Sequence, residues 1–317
     1  MNTRRDISPQ IDRVVLSDGD MRVSLLSYGA ITQSWWYKGL PMILGYENPQ
    51  DYVADKNYLG AIVGRVANRI GQAHFDMGNV RYELDANDGQ NSLHGGRAGL
   101  SHQNWALERI TVNEAILRLT SPEGSGGFPG EIKFEVRVRL DYPRLTYSIS
   151  AQPDRPTPIS IAQHNYYCLG GAAGIAEHCL RLTSSRYLQV DNRGIPSGKF
   201  EDASEGEMQF TVPKAIGAAL TDLDNYFVFD CTRDNEFPVA DLTAPNGLKL
   251  SVWSDQAGAQ IYSGAHLKKP FHKSAGVCIE PSGYPNAPNI PEFPSIIYAP
   301  ETPYEQTLIL EISEGGT

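Results

Sequence analysis

Four short segments of the sequence combine residue types that could move protons or bind hydroxyl groups. They read GRVANRI at residues 64–70, NSLHGG at residues 91–96, QHNYY at residues 163–167 and VCIEPS at residues 277–282. An imidazole with an ordinary pKa of about 6.5 and a carboxylate with one of about 4.3 could form an acid–base pair near neutral pH. Each segment alone is weak evidence, because a histidine beside two glycines is typical of a turn and a glutamate that closes an apolar run is typical of a strand end.

Other familiar site motifs are absent from the sequence. It has no GxxxxGK[ST] phosphate loop, no GxSxG nucleophile turn and no HExxH metal motif. The segment GSGGFPG at residues 124–130 has the wrong glycine spacing for a dinucleotide loop and leads into a strand pattern, so we predict a plain turn. The four cysteines, Cys168, Cys179, Cys231 and Cys278, form no CxxC pair. We therefore predict reduced thiols, no metal site and no cofactor.

In combination and in order, these segments resemble the aldose 1-epimerase (galactose mutarotase) family. The resemblance runs over most of the chain and is carried by YLGAIV at 58–63, GRVANRI, Asn87 with NSLHGG, SPEG at 121–124, GFPG at 127–130, YLQVD at 187–191, IPSG at 195–198, LDNYF at 223–227, GAQIY at 258–262 and CIEP at 278–281. It implies an enzyme that opens the ring of a free monosaccharide, lets C1 rotate and closes the ring on the other face.

The resemblance also implies roles for individual residues. Glu280 would be the base at the C1 hydroxyl and His164 the acid at the ring oxygen. The residues implied in sugar binding are His94, Arg69, Asn68, Asp224 and Gln260. Arg65, in the same motif as Arg69, is expected to be structural, and the four tryptophans are expected mostly in the core.

Other functions on the same fold remain open at this point. One is a sugar-binding or regulatory protein without turnover, although such a protein needs no acid opposite a base. Another is a hydrolase or lyase, although glycoside hydrolysis normally uses two carboxylates. A third is an epimerase of a sugar phosphate, which calls for a more basic pocket than an acidic chain suggests.

The chain departs from the family pattern near the expected pocket. The departures are Gln163 and Cys168 around the acid histidine, Ser282 after the glutamate, and Ala265 after the Gln260 strand. They leave the acid–base pair intact, and they leave open whether galactose or glucose is the preferred substrate.

Composition limits the possible partners. Acidic residues outnumber basic ones 37 to 27, which gives a net charge of -10, so nucleic acid and anionic membranes are unfavourable partners. The N-terminal segment has no apolar stretch of the kind that a secretory signal needs, and we expect a cytoplasmic protein. Whether it is a monomer or a homodimer stays open.

Strand patterns dominate the chain. Apolar residues alternate with polar ones from Ile132 to Leu140 and, after a turn, from Leu145 to Ile149, which predicts a hairpin. Shorter strand patterns cover residues 21–28, 80–84, 110–119, 248–253, 260–262 and 307–312. We predict an all-β protein, a large antiparallel β-sandwich with few short helices, formed as a single domain over residues 1–317. The family resemblance specifies this as the galactose mutarotase-like supersandwich.

Overall fold

The computed structural model describes residues 9–171, 173–217, 222–230 and 237–315, and most of its regular structure is β-strand. The strands are β1 (Arg13–Asp18), β2 (Met21–Leu26), β3 (Thr32–Tyr37), β4 (Leu40–Pro41), β5 (Ile62–Val63), β6 (Arg69–Ile70), β7 (His74–Met77), β8 (Val80–Glu83), β9 (Ser92–Leu93), β10 (Ala106–Arg109), β11 (Glu114–Ser121), β12 (Ile132–Asp141), β13 (Arg144–Pro153), β14 (Thr157–Pro158), β15 (Ala162–Gln163), β16 (Tyr166–Tyr167), β17 (Cys179–Leu182), β18 (Arg186–Val190), β19 (Pro196–Asp202), β20 (Lys214–Ala215), β21 (Asp224–Val228), β22 (Ala240–Thr243), β23 (Leu248–Ser254), β24 (Gly258–Tyr262), β25 (Val277–Ser282), β26 (Ile297–Tyr298) and β27 (Tyr304–Glu314). Short 3-10 segments lie at Pro49–Ala54, Gly71–Ala73, Leu100–His102, Ser125–Gly127 and Ala287–Asn289.

Two large antiparallel sheets form the body of the molecule. One has nine strands in the order β10-β11-β12-β13-β27-β23-β22-β17-β20, and the other has six in the order β16-β25-β24-β21-β18-β19. A third sheet, β1-β2-β3-β4, lies near the N-terminus. The predicted hairpin is β12–β13, in which Leu140 pairs with Leu145 across the turn at Tyr142 and Pro143.

The main core lies between the sheets and draws on all three. It includes Val136 and Leu310 from the nine-stranded sheet and Ile261 and Ile279 from the six-stranded sheet, each buried. Burial of each such side chain stabilises the fold by about 1.5–3 kcal/mol. The all-β sandwich predicted from the sequence is confirmed.

One predicted strand begins later than its pattern suggested. Residues 110–113 form the turn between β10 and β11, and the strand itself starts at Glu114. The backbone N–H groups of Ile110 and Thr111 both donate to the Glu114 carbonyl, and Asn113 donates from its side chain to the Leu140 carbonyl. The Thr111 hydroxyl also donates to Oδ1 of Asn113 and accepts from the Asn113 N–H, and such local side-chain bonds compete with the strand ladder.

Among the described residues, no helix is long and apolar enough to cross a membrane. The prediction of a single domain over residues 1–317 and the cytoplasmic location stay predictions.

Candidate active site

The predicted base lies in a strand of the six-stranded sheet, and the predicted acid lies just before the neighbouring strand of that sheet. His164 sits between β15 and β16, where its N–H donates to the Ala61 carbonyl and its C=O accepts from Gly60. Glu280 lies in β25, all six residues of which are buried. Because β16 pairs with β25, the two side chains meet although they are 116 residues apart in the chain.

Alternate residues of β24 and β25 form a polar face of the six-stranded sheet around Glu280. In register, Gln260 pairs with Glu280 and Tyr262 pairs with Cys278, so these four side chains point to one side of β24 and β25. The residues between them, including Ile261 and Ile279, point to the core. Along both strands, side chains of the site therefore alternate with side chains of the hydrophobic core.

The opposite wall is formed by the two-stranded ladder β6–β9 and its flanks. Asn68 precedes β6 and His94 follows β9, and their backbones are cross-linked by the His94 N–H donating to the Asn68 carbonyl. Asn68, His94 and the nearby Tyr58 all have left-handed backbones, with φ of 62°, 53° and 55°. Such conformations are costly for residues with a Cβ and cluster at functional sites.

All seven predicted site residues line one cleft of about 180 Å³. Its lining comprises Lys56, Asn57, Tyr58, Asn68, Arg69, Leu93, His94, His164, Tyr166, Asp224, Gln260, Tyr262, His266 and Glu280. Arg69 and Asp224 also line an adjoining polar groove of about 450 Å³ with Asp88, Gln90, Asn192 and Arg193. The cleft is therefore open on the side of Arg69 and Asp224.

His164 and Glu280 face each other at the buried end of the cleft. Nε2 of His164 lies 3.6 Å from Oε2 of Glu280, and both side chains are almost fully buried. Burial raises the pKa of Glu280 well above its ordinary value, and the nearby Asp224 carboxylate raises it further while Arg69 lowers it. Burial also lowers the pKa of His164 to about 4, so this imidazole alone is neutral at pH 7 and not partly protonated as its ordinary value suggests.

The hydrogen bonds of His94 fix its tautomer. The Asn68 N–H donates to Nδ1 of His94 at 3.1 Å, so Nδ1 carries no proton. Burial lowers the pKa of His94 well below its ordinary value, and the ring is neutral. A neutral imidazole without a proton on Nδ1 carries it on Nε2. His94 can thus offer the cleft a hydrogen-bond donor.

A chain of hydrogen bonds orients the polar side chains of the cleft. Nδ2 of Asn68 donates to Oε1 of Gln260 at 2.9 Å, and Nε2 of Gln260 donates to Oδ1 of Asp224 at 2.6 Å. Arg69 is held from outside the cleft lining, because its Nε donates to Oδ2 of Asp88 at 2.8 Å. These bonds leave a set of preset donors and acceptors of the kind that vicinal hydroxyls need.

The cluster of His94, His164 and Glu280 has the spacing of a metal site but the wrong protonation for one. Their potential ligand atoms lie within 4.8 Å of one another. A metal-bound histidine donates its second ring N–H to an acceptor. His94 instead accepts at Nδ1 from the Asn68 N–H, so its other nitrogen already carries the proton that a metal ion would have to displace. The cluster suits hydrogen bonding and proton transfer better than metal coordination.

Sequence reasoning missed the aromatic part of the cleft. The Tyr58 ring packs against His94 and His164, with centroids 4.6 and 5.9 Å apart. Tyr166 and Tyr262 flank the acid–base pair, and their rings lie 6.1 Å apart. Tyr262 was detectable from the sequence, since it lies two residues after Gln260 and therefore on the same face of its strand.

Arg65 and the four tryptophans lie outside the cleft lining. The Arg65 guanidinium is buried and donates to carbonyls of the loop at residues 121–130, including those of Ser121, Pro122 and Gly130. That loop contains the glycine-rich segment predicted as a plain turn. Trp35 and Trp105 are buried in the core and Trp253 is half-buried, so the prediction that most of the tryptophans lie in the core holds for two of the four. Trp36 is 41% exposed, and it too lies outside the cleft lining.

Comparison with known proteins agrees with this geometry. The sequence pattern of the family described as "Aldose 1-epimerase" matches residues 12–311. The chain belongs to the aldose 1-epimerase family. It is 29% identical to galactose mutarotase of Bos taurus, over 96% of this chain and 94% of that protein. It is 28% identical to aldose 1-epimerase of Escherichia coli, over 89% of this chain and 82% of that protein.

Solved structures of the aldose 1-epimerase family share the fold. The crystal structure of galactose 1-epimerase from Lactobacillus acidophilus has a TM-score of 0.88 and 26% sequence identity, and it covers 100% of this chain and 98% of its own. An aldose epimerase homologue from C. elegans has a TM-score of 0.91 at 24% identity, with 97% and 100% covered. The latter likeness is one of fold.

The four departures from the aldose 1-epimerase pattern lie outside the cleft lining. Gln163 donates to the Gly60 carbonyl and accepts from the Asn165 N–H, and Cys168 donates to the Pro41 carbonyl. The hydroxyl of Ser282 donates to the backbone carbonyl of Glu280. Ala265 is half-buried beside the cleft residue His266.

Proposed function

We propose that this protein is an aldose 1-epimerase that interconverts the α and β anomers of a free aldose. The observation that carries the proposal is the pairing of a buried carboxylate with a buried imidazole, 3.6 Å apart, at the closed end of a polar cleft. A protein that only binds sugars has no need of two buried titratable groups in contact, because burying them costs stability.

The reaction needs one base and one acid. Glu280 takes the proton of the C1 hydroxyl, the C1–O1 bond becomes a carbonyl, and the bond between C1 and the ring oxygen breaks. His164 gives its proton to the departing ring oxygen. After rotation about the C1–C2 bond the same steps run backwards, so both protons return and the sugar differs only in its anomeric configuration.

The other cleft residues would hold the sugar and support charge at the ring oxygen. The Nε2–H of His94 is a fixed donor beside His164, with the two rings 5.4 Å apart. A donor aimed at developing negative charge in a dry site stabilises the transition state. Asn68, Arg69, Asp224 and Gln260 would bind ring hydroxyls. Tyr58, Tyr166 and Tyr262 would offer apolar ring faces to the sugar.

The pair must place its proton on His164 before it can react. Between the two pKa values, the raised one of Glu280 and the value of about 4 for His164, the pair holds a single proton. A bound sugar brings a hydroxyl donor to Glu280, and hydrogen bonds to a carboxylate favour its charged form. Sugar binding therefore moves the shared proton towards the imidazole, where the mechanism requires it.

The decisive experiment follows the equilibration of freshly dissolved pure anomers by polarimetry or NMR exchange. We expect acceleration over buffer for at least one aldose in a panel, and a loss of about 10²–10⁴-fold in Glu280→Gln and in His164→Asn. Glu311→Gln and His74→Asn, which lie outside the cleft, serve as matched controls. Unchanged rates in both cleft variants would contradict the assigned roles.

A further inference from the structure

Cys278 contacts the side of His164 that faces away from the reaction. Its Sγ lies 3.5 Å from Nδ1 of His164, while Nε2 of the same ring faces Glu280 at 3.6 Å. Both partners are buried, with Cys278 0% and His164 4% exposed. The two ring nitrogens therefore face different side chains, a thiol at Nδ1 and a carboxylate at Nε2. The His164 ring also contacts its own backbone, and the thiol also contacts the Tyr166 side chain.

The position of Cys278 follows from the strand that carries the base. Cys278 and Glu280 are two residues apart in β25, so both side chains point to the same face. Cys278 pairs across the sheet with Tyr166, which follows His164 by two residues and packs against its ring with centroids 5.2 Å apart. Strand β25 thus carries both Glu280, the proposed base, and Cys278, which contacts the proposed acid His164.

A thiol can partner Nδ1 in both protonation states of the imidazole. Burial raises the pKa of Cys278 well above its ordinary value, so the group stays an S–H. A thiol is a weak donor and a weak acceptor. It can donate to Nδ1 of a neutral His164 whose ring proton is on Nε2, and it can accept from Nδ1–H of an imidazolium. A carboxylate at the same place would only accept and would hold the ring in its charged form.

We propose that Cys278 is a positioning residue that keeps the transferable proton of His164 on Nε2, towards the sugar and Glu280, throughout the proton-transfer cycle. This role rests on the proposed acid function of His164. Which ring nitrogen carries the proton is set by the hydrogen bond that the other one makes. Titratable or charged groups that face or influence His164 from the surrounding elements are Glu280 and Cys278 of β25, His94 after β9, Tyr166 of β16, and Tyr58 and Asp55 of the segment before β5.

The test compares Cys278→Ala and Cys278→Ser in the full chain. Alanine removes the donor and the acceptor, and we expect kcat to fall on the order of 10-fold or more with little change in KM, because a small misplacement of a catalytic group can cost about 10²-fold. Serine keeps both functions and should recover most of kcat. Cys168→Ala is the matched control, since that buried thiol lies outside the cleft lining and donates to the Pro41 carbonyl; it should leave kcat unchanged.

A spectroscopic readout separates this proposal from the proposed function. Imidazole ¹⁵N shifts at pH 7, where His164 is neutral, should show the proton on Nε2 in the parent and in Cys278→Ser, and a mixture of tautomers in Cys278→Ala. If the parent protein shows this tautomer but does not interconvert anomers, the proposed function is overturned, while the positioning of His164 by Cys278 is supported. Parent-like kcat and parent-like ¹⁵N shifts in Cys278→Ala would overturn the positioning role.

Discussion

At the scale of residues, burial changes the two central ionisable groups in opposite directions. Glu280 is made a weaker acid and His164 a weaker base, so the pair resists carrying charge in the empty cleft. The order of their two titrations is then the reverse of the ordinary one, in which glutamate ionises at about 4.3 and histidine at about 6.5.

We predict a pH profile of kcat/KM in which the acid side reports the titration of His164 and the alkaline side that of Glu280. On the acid side, activity is lost as the pair takes up a second proton on His164, with a pKa of about 4. On the alkaline side, activity is lost when the last proton leaves, at a pKa raised by the burial of Glu280. On the acid side the profile should fall only as the pH approaches about 4. NMR titration of His164 with a midpoint near its ordinary value would contradict this order.

Asp88 forms an ion pair with Arg69 that the sequence did not reveal. It lies outside the cleft lining and accepts from Nε of Arg69 at 2.8 Å. We expect Asp88→Asn to raise KM a few-fold with kcat nearly unchanged, because a partly exposed ion pair contributes up to about 1 kcal/mol.

Steady-state kinetics on the preferred sugar would measure the Asp88 effect. Asp76→Asn is the control, because Asp76 holds Arg81 through an equivalent contact of 2.9 Å in the distant hairpin β7–β8. An equal change of KM in the two variants, or a drop confined to kcat, would argue against a role for Asp88 in orienting Arg69.

At the scale of elements, the loop that carries His94 depends on a close backbone approach. Gly95 has a φ of 85°, and a Cβ there would lie 2.2 Å from the Gly64 carbonyl oxygen and 2.6 Å from the Arg65 amide nitrogen. Backbone atoms cannot move aside cheaply, so the segment at 94–96 fits against the segment at 64–65 only with glycine. The placement of His94 is thus a property of two packed loops.

We predict that Gly95→Ala displaces His94 and lowers both stability and activity. Positive φ alone costs alanine on the order of 1 kcal/mol, and the clash adds to that. Gly78→Ala is the matched control, with a φ of 61° and open space around its Cβ in the β7–β8 turn. Thermal unfolding and anomerisation rates measure the two effects. A Gly95→Ala protein that matched Gly78→Ala in both would contradict the packing argument.

At the scale of the whole molecule, buried histidines make folding depend on pH. Burial lowers the pKa values of His94, His102, His164 and His178. The unfolded chain therefore binds more protons than the folded one once the pH falls below about 6.5. Their stabilisation is present above that pH and is lost as the pH falls through the folded values. Glu280, whose raised pKa acts in the opposite direction, is a single group against four.

We predict that the free energy of unfolding decreases as the pH falls from about 6.5 towards 4. For His164 alone the shift to about 4 corresponds to about 3 kcal/mol over that range. Urea unfolding at a series of pH values measures the slope, and His178→Gln, outside the cleft, should make it shallower. A free energy that stayed constant between pH 6.5 and 4.5 would contradict the prediction.

The sequence by itself determined the all-β class, several of the strands, the family and the list of candidate site residues. Local alternation of apolar and polar residues is enough to predict a strand such as β12, and motifs in a fixed order identify a family without coordinates. It did not determine the contacts of Glu280 with Gln260 and His164, because these residues meet it through cross-strand register and loop packing between distant segments. Only the tertiary structure decided the directions of the pKa shifts, since burial depends on the whole sandwich closing over the cleft.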